Sequence, residues 1–215
     1  MYRVTMTGMI GYERAAWLLA QNREALQKRF SRTFLANFER LKDASGAGKI
    51  TSAVGAGESI SATGADEPVS AAGAGESIPA EYLAYESQIG NGGLFGALWQ
   101  ACESLQQETA HPVGCRIRIE DIPVRQEVTE ILELYHENPY ETPSPGSRLL
   151  IWKEDLPDTV HDQLQQTVII GYLTRDRQRL VLLEDTQRFL TPWHRQQQDL
   201  GQNSLPNHEP EKGVF

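Results

Sequence analysis

The chain has 215 residues, of which 40% are hydrophobic and 23% are charged, and its formal net charge is −9. This length and composition predict a soluble globular protein with a sizeable core, while the acidic balance argues against nucleic acid, which needs clustered lysine and arginine. Because Arg3, Glu13 and Arg14 interrupt the apolar residues near the amino terminus, we expect neither a secretory signal nor a membrane span, and a cytoplasmic location.

The first predicted elements are a strand and two helices. Residues 1–8 alternate between apolar and polar side chains, as a half-buried strand does. A helix is predicted from about Tyr12 to Arg29, with an apolar face made of Ala15, Leu19, Leu26 and Phe30. Ser31 can cap a further helix, whose inward residues would be Phe34, Phe38 and Leu41. We therefore expect a helical hairpin that packs on another part of the chain.

Residues 44–80 consist mostly of Gly, Ala, Ser and Glu and contain an internal repeat. Residues 52–60 (SAVGAGESI) return as residues 70–78 (SAAGAGESI). Two copies are too few for a solenoid, and the segment lacks the strand and helix that frame a phosphate-binding loop. We predict a flexible insertion at 44–80 within a single domain of residues 1–195, followed by a polar tail at 196–215.

The most chemically specific stretch is Gln88 to Trp99, where a glycine-rich turn runs into an amphipathic helix. Glycine lets the backbone approach a ligand, and the free N–H groups of a helix start attract anions. Gly90, Asn91, Gly92 and Gly93 are therefore a candidate phosphate-binding loop. The alternative is a tight turn that only lets the helix pack closely. The apolar positions that follow are predicted core residues: Leu94, Phe95, Leu98, Ala101, Cys102 and Leu105.

Further strands and helices are predicted in the second half of the chain. Strands are expected at 114–120, 148–153, 167–173 and 179–184. The second is nearly all apolar and so central, and the last two form a hairpin around 174–178. Helices are expected from Pro123 to Tyr135, with the proline in the first turn, and at 156–166. A rigid loop spans 138–147, and the outer helix face is expected to be solvated at Glu127, Glu130, Glu133 and Glu137.

No residue pattern identifies a catalytic or metal site. The cysteines Cys102 and Cys115 lack metal-ligand spacing, so reduced, buried thiols are expected. No two histidines have the spacing of metal ligands; they are His111, His136, His161, His194 and His208. The tryptophans Trp99, Trp152 and Trp193 are expected to pack in or beside the core, because the basic residues of a nucleic-acid platform are lacking.

Four short segments carry a resemblance to a known superfamily. They are Val4 to Glu13 (VTMTGMIGYE), Gly92 to Leu98 (GGLFGAL), Ile122 to Glu127 (IPVRQE), and Asn138 to Glu141 (NPYE) with the Gly146-Ser147 pair and the Leu149 to Ile151 strand after it. In this order they resemble the carboxy-terminal half of the aminoimidazole ribonucleotide (AIR) synthetase superfamily. The nearest similarity is to AIR synthase-related proteins and hydrogenase maturation factors.

The resemblance implies an α+β fold, a three-layer α/β/α sandwich around a mixed, mostly antiparallel sheet that is distantly ferredoxin-like. In full-length members, this domain packs against an amino-terminal domain that dimerises and carries most of the ATP and magnesium ligands. The resemblance begins where the second half of the family begins. It therefore implies a domain without independent catalysis that acts with a separately encoded amino-terminal half or as a homodimer.

The resemblance also implies that the glycine-rich turn corresponds to the family's Asp-x-Ser/Thr-x-Gly-Gly loop. Gly92 and Gly93 match this loop, but Gln88 stands at the aspartate position and Gly90 at the hydroxyl position. Without that carboxylate and hydroxyl the turn loses ligands for Mg²⁺, so any ATP with Mg²⁺ would bind through a partner domain. The alternatives are a binding or assembly module that has lost nucleotide chemistry, or an enzyme acting through residues that no motif reveals.

Overall fold

The structure is a computed structural model that describes residues 2–44, 82–153 and 167–192, with side chains of 42–44 left out of the description. Most of the predicted insertion at 44–80, the predicted helix at 156–166 and the tail at 196–215 therefore lie outside the described residues. None of the helices in the described part is long and apolar enough to cross a bilayer.

The described residues form strands and α-helices that alternate in part along the chain. The strands are β1 (Tyr2–Thr7), β2 (Leu83–Ile89), β3 (Gly114–Arg118), β4 (Ser144–Lys153), β5 (Val168–Thr174), β6 (Arg179–Leu182) and β7 (Gln187–Phe189). The helices are α1 (Tyr12–Gln21), α2 (Arg23–Arg29), α3 (Arg32–Ala44), α4 (Gly93–Thr109) and α5 (Gln126–Leu134), and a 3-10 turn spans Ile119–Asp121.

The strands form one mixed sheet in the order β2-β4-β1-β5-β3-β6-β7. Only the β3–β6 pairing is parallel among the strand pairings of the described residues, and the others are antiparallel. The expected α+β class, with helices layered on a mixed and mostly antiparallel sheet, is confirmed. The central position expected for the apolar strand at 148–153 is also confirmed, because β4 lies between β2 and β1.

One face of the sheet packs against α4 and forms the main core. Alternation along β1 directs Val4 and Met6 into this core. Thr5 is buried on the opposite face, where its Oγ1 accepts a 2.8 Å hydrogen bond from Nε1 of buried Trp152. The predicted core positions of α4 are all buried, which confirms the helical period of the stripe: Leu94, Phe95, Leu98, Ala101, Cys102 and Leu105.

A second core joins α1, α2, α3 and α5. The single helix expected at 12–29 is wrong, because it breaks at Asn22, whose side chain donates to the Leu18 carbonyl at 3.1 Å and competes with the helical pattern. The expected cap is confirmed, since the Phe34 N–H donates to Oγ of Ser31 at 3.1 Å. Phe38 is fully enclosed in this second core, as its helical position predicts.

The hairpin expected between the last two long strands is wrong. β3 lies between β5 and β6, pairing antiparallel with the first and parallel with the second. The connecting loop at 174–178 therefore crosses the start of β3, where the Cys115 N–H donates to the Gln178 carbonyl at 3.0 Å. Gly114 permits this crossing, because a Cβ there would overlap Gln178 and lie 2.6 Å from a carboxylate oxygen of Asp176.

Several boundaries differ from the sequence expectations. β4 begins at Ser144, inside the segment expected to be a loop, and β2 and β7 were not predicted. α5 begins at Gln126, not at Pro123. Pro123 lies before this helix, and its carbonyl accepts a 3.2 Å hydrogen bond from the distant Ile10 N–H instead of a helical one. Trp99 and Trp152 do belong to the core or its edge, and Trp193 lies outside the described residues.

Candidate functional site

The glycine-rich turn connects β2 to α4 and reverses the chain tightly. Gly92 and Gly93 have φ values of 87° and 62°, in the left-handed region that favours glycine. The Gly93 N–H closes the turn by donating to the Gly90 carbonyl at 3.0 Å. Gly92 and Gly93 are buried, whereas Gly90 and Asn91 are exposed. The four candidate residues thus form one continuous turn, with its first half open to solvent.

Two of the N–H groups that begin α4 already have backbone partners. Gly93 donates within the turn, and Phe95 donates to the Tyr140 carbonyl at 3.2 Å. The Gly96 N–H makes the first regular helical bond, to the Gly92 carbonyl at 2.9 Å. The anion affinity of a helix start comes from N–H groups without such partners. The turn therefore offers an anion fewer donors than a free helix start would.

Gly93 and Gly90 have different physical roles. A Cβ at Gly93 would lie 2.5 Å from the Tyr140 carbonyl oxygen and would overlap the backbone of Glu141. A Cβ at Gly90 would meet no atom within 4 Å. The close approach at Gly93 is thus made to the chain itself, and the open space that a ligand needs lies at Gly90.

The side chain of Gln88, which the resemblance places at the aspartate position of the loop, makes a hydrogen bond within the fold. Nε2 of Gln88 donates to the Pro145 carbonyl at 2.5 Å. In the sheet Gln88 lies opposite Arg148, whose guanidinium forms an ion pair with Glu86. A neutral amide held in this way supplies no charge for a hard cation. Gln88 and Gly90 therefore do not fit the Mg²⁺ ligands that the family loop implies.

A second turn, between β1 and α1, is held beside the first residues of β4. The Gly11 N–H donates to Oγ of Ser144 at 2.7 Å, and Oγ of Ser147 donates to the Met9 carbonyl at 3.0 Å. Oε1 of Glu13 accepts the Gly146 N–H at 3.0 Å. Two of the segments that carry the family resemblance, separated by more than a hundred residues in sequence, therefore meet through these hydrogen bonds.

An aromatic and cationic cluster adjoins the start of α4. The rings of Phe95 and Tyr140 stack with centroids 5.4 Å apart, and Cζ of Arg188 lies 5.1 Å from the centroid of Phe95. Burial raises the pKa of the Tyr140 hydroxyl, and nearby Arg188 partly offsets this. Phe189 and Glu141 join Phe95 and Arg188 around a small cavity of about 50 Å³.

Sequence reasoning did not single out Arg188 and Phe189. They belong to β7, and a strand of only three residues is too short for its sequence pattern to predict it. Their position beside Phe95 results from the pairing of β7 with β6 at the edge of the sheet. The only available signal was an arginine next to an aromatic residue, which is common on protein surfaces.

The other polar residues considered in the sequence do not form a metal site. Among the described residues, no group of three or more His, Cys, Asp or Glu side chains could hold a metal ion. His111 and His136 are exposed, and His161, His194 and His208 lie outside the described residues. One acidic residue of the face expected to be solvated, Glu137, instead binds Arg14 through both carboxylate oxygens, at 2.8 Å and 3.0 Å from Nε.

The two cysteines are free and buried, as expected. Cys102 of α4 faces Cys115 of β3 across the main core. The interaction with Cys102, together with burial, raises the pKa of the Cys115 thiol. The pKa of the Cys102 thiol is lowered by its hydrogen bond with Cys115 and by the charge of Arg179. The pair contributes apolar packing in a place that solvent does not reach.

No protein-family model matches the chain, and no curated protein matches it in sequence. Solved structures do match. A HypE–HypF complex aligns with a TM-score of 0.54 at 15% identity, over 89% of this chain and 52% of the other. Hydrogenase maturation protein HypE in complex with ATP aligns at 0.53 and 12%, over 89% and 50%. HypE from E. coli aligns at 0.52 and 12%, over 88% and 49%.

These similarities establish the fold, which is that of about half of each HypE structure. The chain spans about half the length of the solved structures it matches. The expected relationship to hydrogenase maturation proteins is confirmed at the level of architecture, and sequence identity of 12–15% carries it no further.

Proposed function

We propose that this chain is a carboxy-terminal domain of the AIR synthetase-like type that has no independent catalysis and acts with a separate, ATP-binding amino-terminal half. The observation that carries the proposal is the lack of metal-binding side chains in the glycine-rich turn. Gln88 binds the Pro145 carbonyl where a metal-binding carboxylate is expected, and Gly90 offers no hydroxyl. The match to about half of each HypE structure supports the assignment of this fold to one domain of such proteins.

The proposed partner needs a docking surface, and β5 offers apolar side chains for one. Val168, Ile169 and Tyr172 are 44%, 42% and 42% exposed, although β5 is an interior strand of the sheet. Exposed apolar groups clustered on one strand are typical of an interaction surface. The same surface would serve a homodimer, which is the alternative partner arrangement.

ATP with Mg²⁺ enters this proposal only through the partner. The contribution of this chain would come from the backbone of Gly90, Asn91, Gly92 and Gly93. Because Gly93 and Phe95 already donate to carbonyls, the turn would add modest phosphate affinity to a site built mainly by the other half. Arg188, whose guanidinium lies over Phe95, is a cation beside the turn that would favour an anion there.

A second candidate function is a binding or assembly module that has lost nucleotide chemistry altogether. The hydrogen bond from Gln88 to Pro145 favours it, because this bond gives the turn a purely structural use. Under this proposal the turn only joins β2 to α4, and the tight fit against Tyr140 and Glu141 explains the glycine at position 93.

Nucleotide binding and hydrolysis by the purified full chain test both proposals. We expect no ATP hydrolysis above background. Hydrolysis that is lost in Gly90→Glu but kept in Gly90→Gln would overturn the first proposal, because the two side chains have the same size and only the carboxylate repels phosphate. Gly90 is suitable because it has open space around it, so neither variant disturbs packing.

Calorimetry with ATP and Mg²⁺ separates the two candidates. Clear micromolar binding by the chain alone, weakened in Gly90→Glu and not in Gly90→Gln, would contradict the assembly module. Sedimentation of the same samples tests the homodimer, which should dissociate in Ile169→Lys. The control is Thr129→Lys on α5, a helix that packs on α1 and α3.

A further inference from the structure

A cavity at the far end of α4 has no part in the function proposed above. Its volume is about 800 Å³, within the range of about 300–1,000 Å³ found for small-molecule sites. It lies where α4 ends, β3 begins and β5 ends. The rise of an α-helix places the carboxy-terminal end of α4 about 24 Å from the glycine-rich turn at its start. A ligand here would therefore not touch that turn.

The floor of the cavity is apolar. Leu105 of α4, Leu173 of β5 and Val113, just before β3, line it, and each is at least nine-tenths buried in the core. Apolar walls of this depth favour a hydrocarbon or aromatic body over water, by the free energy of burying each methylene group. The floor therefore selects for the apolar part of a ligand.

The rim of the cavity is polar and carries a cation. Thr109, His111 and Arg175 lie around its opening. Oγ1 of Thr109 already donates to the Leu105 carbonyl at 2.7 Å. His111 can donate a hydrogen bond in either protonation state. In the described part of the chain, Arg175 has no hydrogen-bond, ion-pair or ring partner.

The acidic residue beside Arg175 does not neutralise it. The carboxylate of Asp176 accepts hydrogen bonds from Oγ1 of Thr174 at 3.0 Å and from the Gln178 N–H at 2.9 Å, and it lies 3.7 Å from Arg116. Asp176 is thus turned toward β3 and engaged there. The guanidinium of Arg175 remains at the rim, with its donors available to an anionic group.

We propose that this cavity binds a small amphiphilic anion, a carboxylate with an apolar chain or ring, whose body lies against Leu105, Val113 and Leu173 and whose carboxylate contacts Arg175. The unpaired cation over an apolar floor distinguishes this ligand class from a neutral hydrocarbon, which would gain nothing from Arg175. It also distinguishes the class from a free phosphate, which would gain nothing from the floor.

Calorimetric titration of the full chain with alkyl carboxylates tests the proposal. We expect one saturable site for decanoate, with affinity roughly tenfold higher than for octanoate, because each buried methylene adds up to about fourfold. Octanol, which has the same chain length as octanoate and no charge, should bind more weakly. Absence of saturable binding, or equal affinity for octanol and octanoate, would overturn the proposal.

Two matched variants test whether Arg175 supplies the charge that binds the carboxylate. Arg175→Gln should weaken decanoate binding about tenfold, the loss of one charge-assisted contact, and should leave octanol binding unchanged. Arg177→Gln removes a cation from the same loop that does not line the cavity, and should leave both unchanged. Equal effects of the two variants on decanoate would contradict the assignment.

A third variant tests whether the apolar part of the ligand lies in the cavity. Val113→Phe should fill the cavity and abolish binding of decanoate and octanol together. Retained affinity in a folded Val113→Phe protein, as judged by its thermal unfolding, would show that the chain binds elsewhere on the surface and would overturn the proposal. If this variant does not fold, the two arginine variants still decide the question, because both side chains are exposed.

Discussion

The backbone N–H of Gly11 donates a 2.7 Å hydrogen bond to Oγ of Ser144, 133 residues further along the chain. It joins the left-handed turn before α1 to the first residue of β4. Ser144 has no exposed surface, and its own hydroxyl donates to the Thr142 carbonyl at 3.1 Å. One hydroxyl therefore satisfies a buried donor and a buried acceptor, and holds two distant segments in register.

Replacing Ser144 should destabilise the fold measurably. We expect Ser144→Ala to lower the free energy of unfolding by about 1–3 kcal/mol, because the Gly11 N–H is left buried without an acceptor. Urea denaturation followed by circular dichroism measures the change. Ser104→Ala, the same substitution at an exposed position of α4, is the control and should stay within about 0.5 kcal/mol of the wild type. Equal effects of the two variants would contradict the role given to the Ser144 hydroxyl.

The two glycines of the turn should respond oppositely to a methyl group. Gly93→Ala should lower the free energy of unfolding by more than about 2 kcal/mol, because a left-handed alanine is strained and its Cβ meets the backbone at Tyr140 and Glu141. Gly90→Ala should be neutral or slightly stabilising, since its Cβ meets no atom and the unfolded chain loses freedom. The same urea experiment measures both. Comparable losses would show that the turn is under general strain.

Tyr140 should contribute to loss of stability at alkaline pH. Burial raises the pKa of its hydroxyl above the ordinary 10.0, so above pH 10 the unfolded state loses this proton first and unfolding becomes easier as pH rises. Tyr140→Phe should therefore lose less stability than the wild type between pH 9 and pH 11, while the two proteins should be similar at pH 8. Urea unfolding at these pH values measures the difference.

Absorbance at 295 nm provides an independent check on Tyr140. The difference between the native titrations of the wild type and Tyr140→Phe should show one tyrosine that ionises above pH 10. The same difference measured in urea should lie near the ordinary value. A native difference titration that coincides with the urea one would contradict the assigned burial of the hydroxyl.

Neither thiol should react in the native protein. Cys102 and Cys115 are both fully enclosed, and they are the only cysteines of the chain. We expect the colorimetric disulfide reagent DTNB to label no thiol in the folded state and two after denaturation. Fast labelling before unfolding, persisting in Cys115→Ala, would show that Cys102 is accessible and that α4 opens away from β3.

The sequence predicted the elements whose evidence is local. The stripe on α4 was found because Leu94, Leu98 and Leu105 recur at the helical period, and all three are buried. The Ser31 cap was found because its hydroxyl bonds to Phe34, three residues away. The four resemblance segments indicated the fold of hydrogenase maturation proteins, and the matches to HypE structures confirm that fold.

The parts of the candidate site that the sequence missed depend on contacts between distant segments. Gln88 looked like a lost ligand, and the structure adds that its amide binds Pro145, 57 residues away. Arg188 reaches Phe95 only because β7 pairs with the edge of the sheet. The residues next to Gln88 and Arg188 in sequence do not indicate that these contacts form.

The sequence by itself determined the strongly periodic segments, such as β1 and α4, and which side of each faces the core, because periodicity depends on residues two to four positions apart. Only the tertiary structure decided that β3 lies between β5 and β6, that Asn22 divides the first helix, and that Gly93 lies against Tyr140. Strand order and close backbone packing are set by the balance of burial and loop closure over the whole chain. The glycine pair could be found in the sequence, but its partners could not.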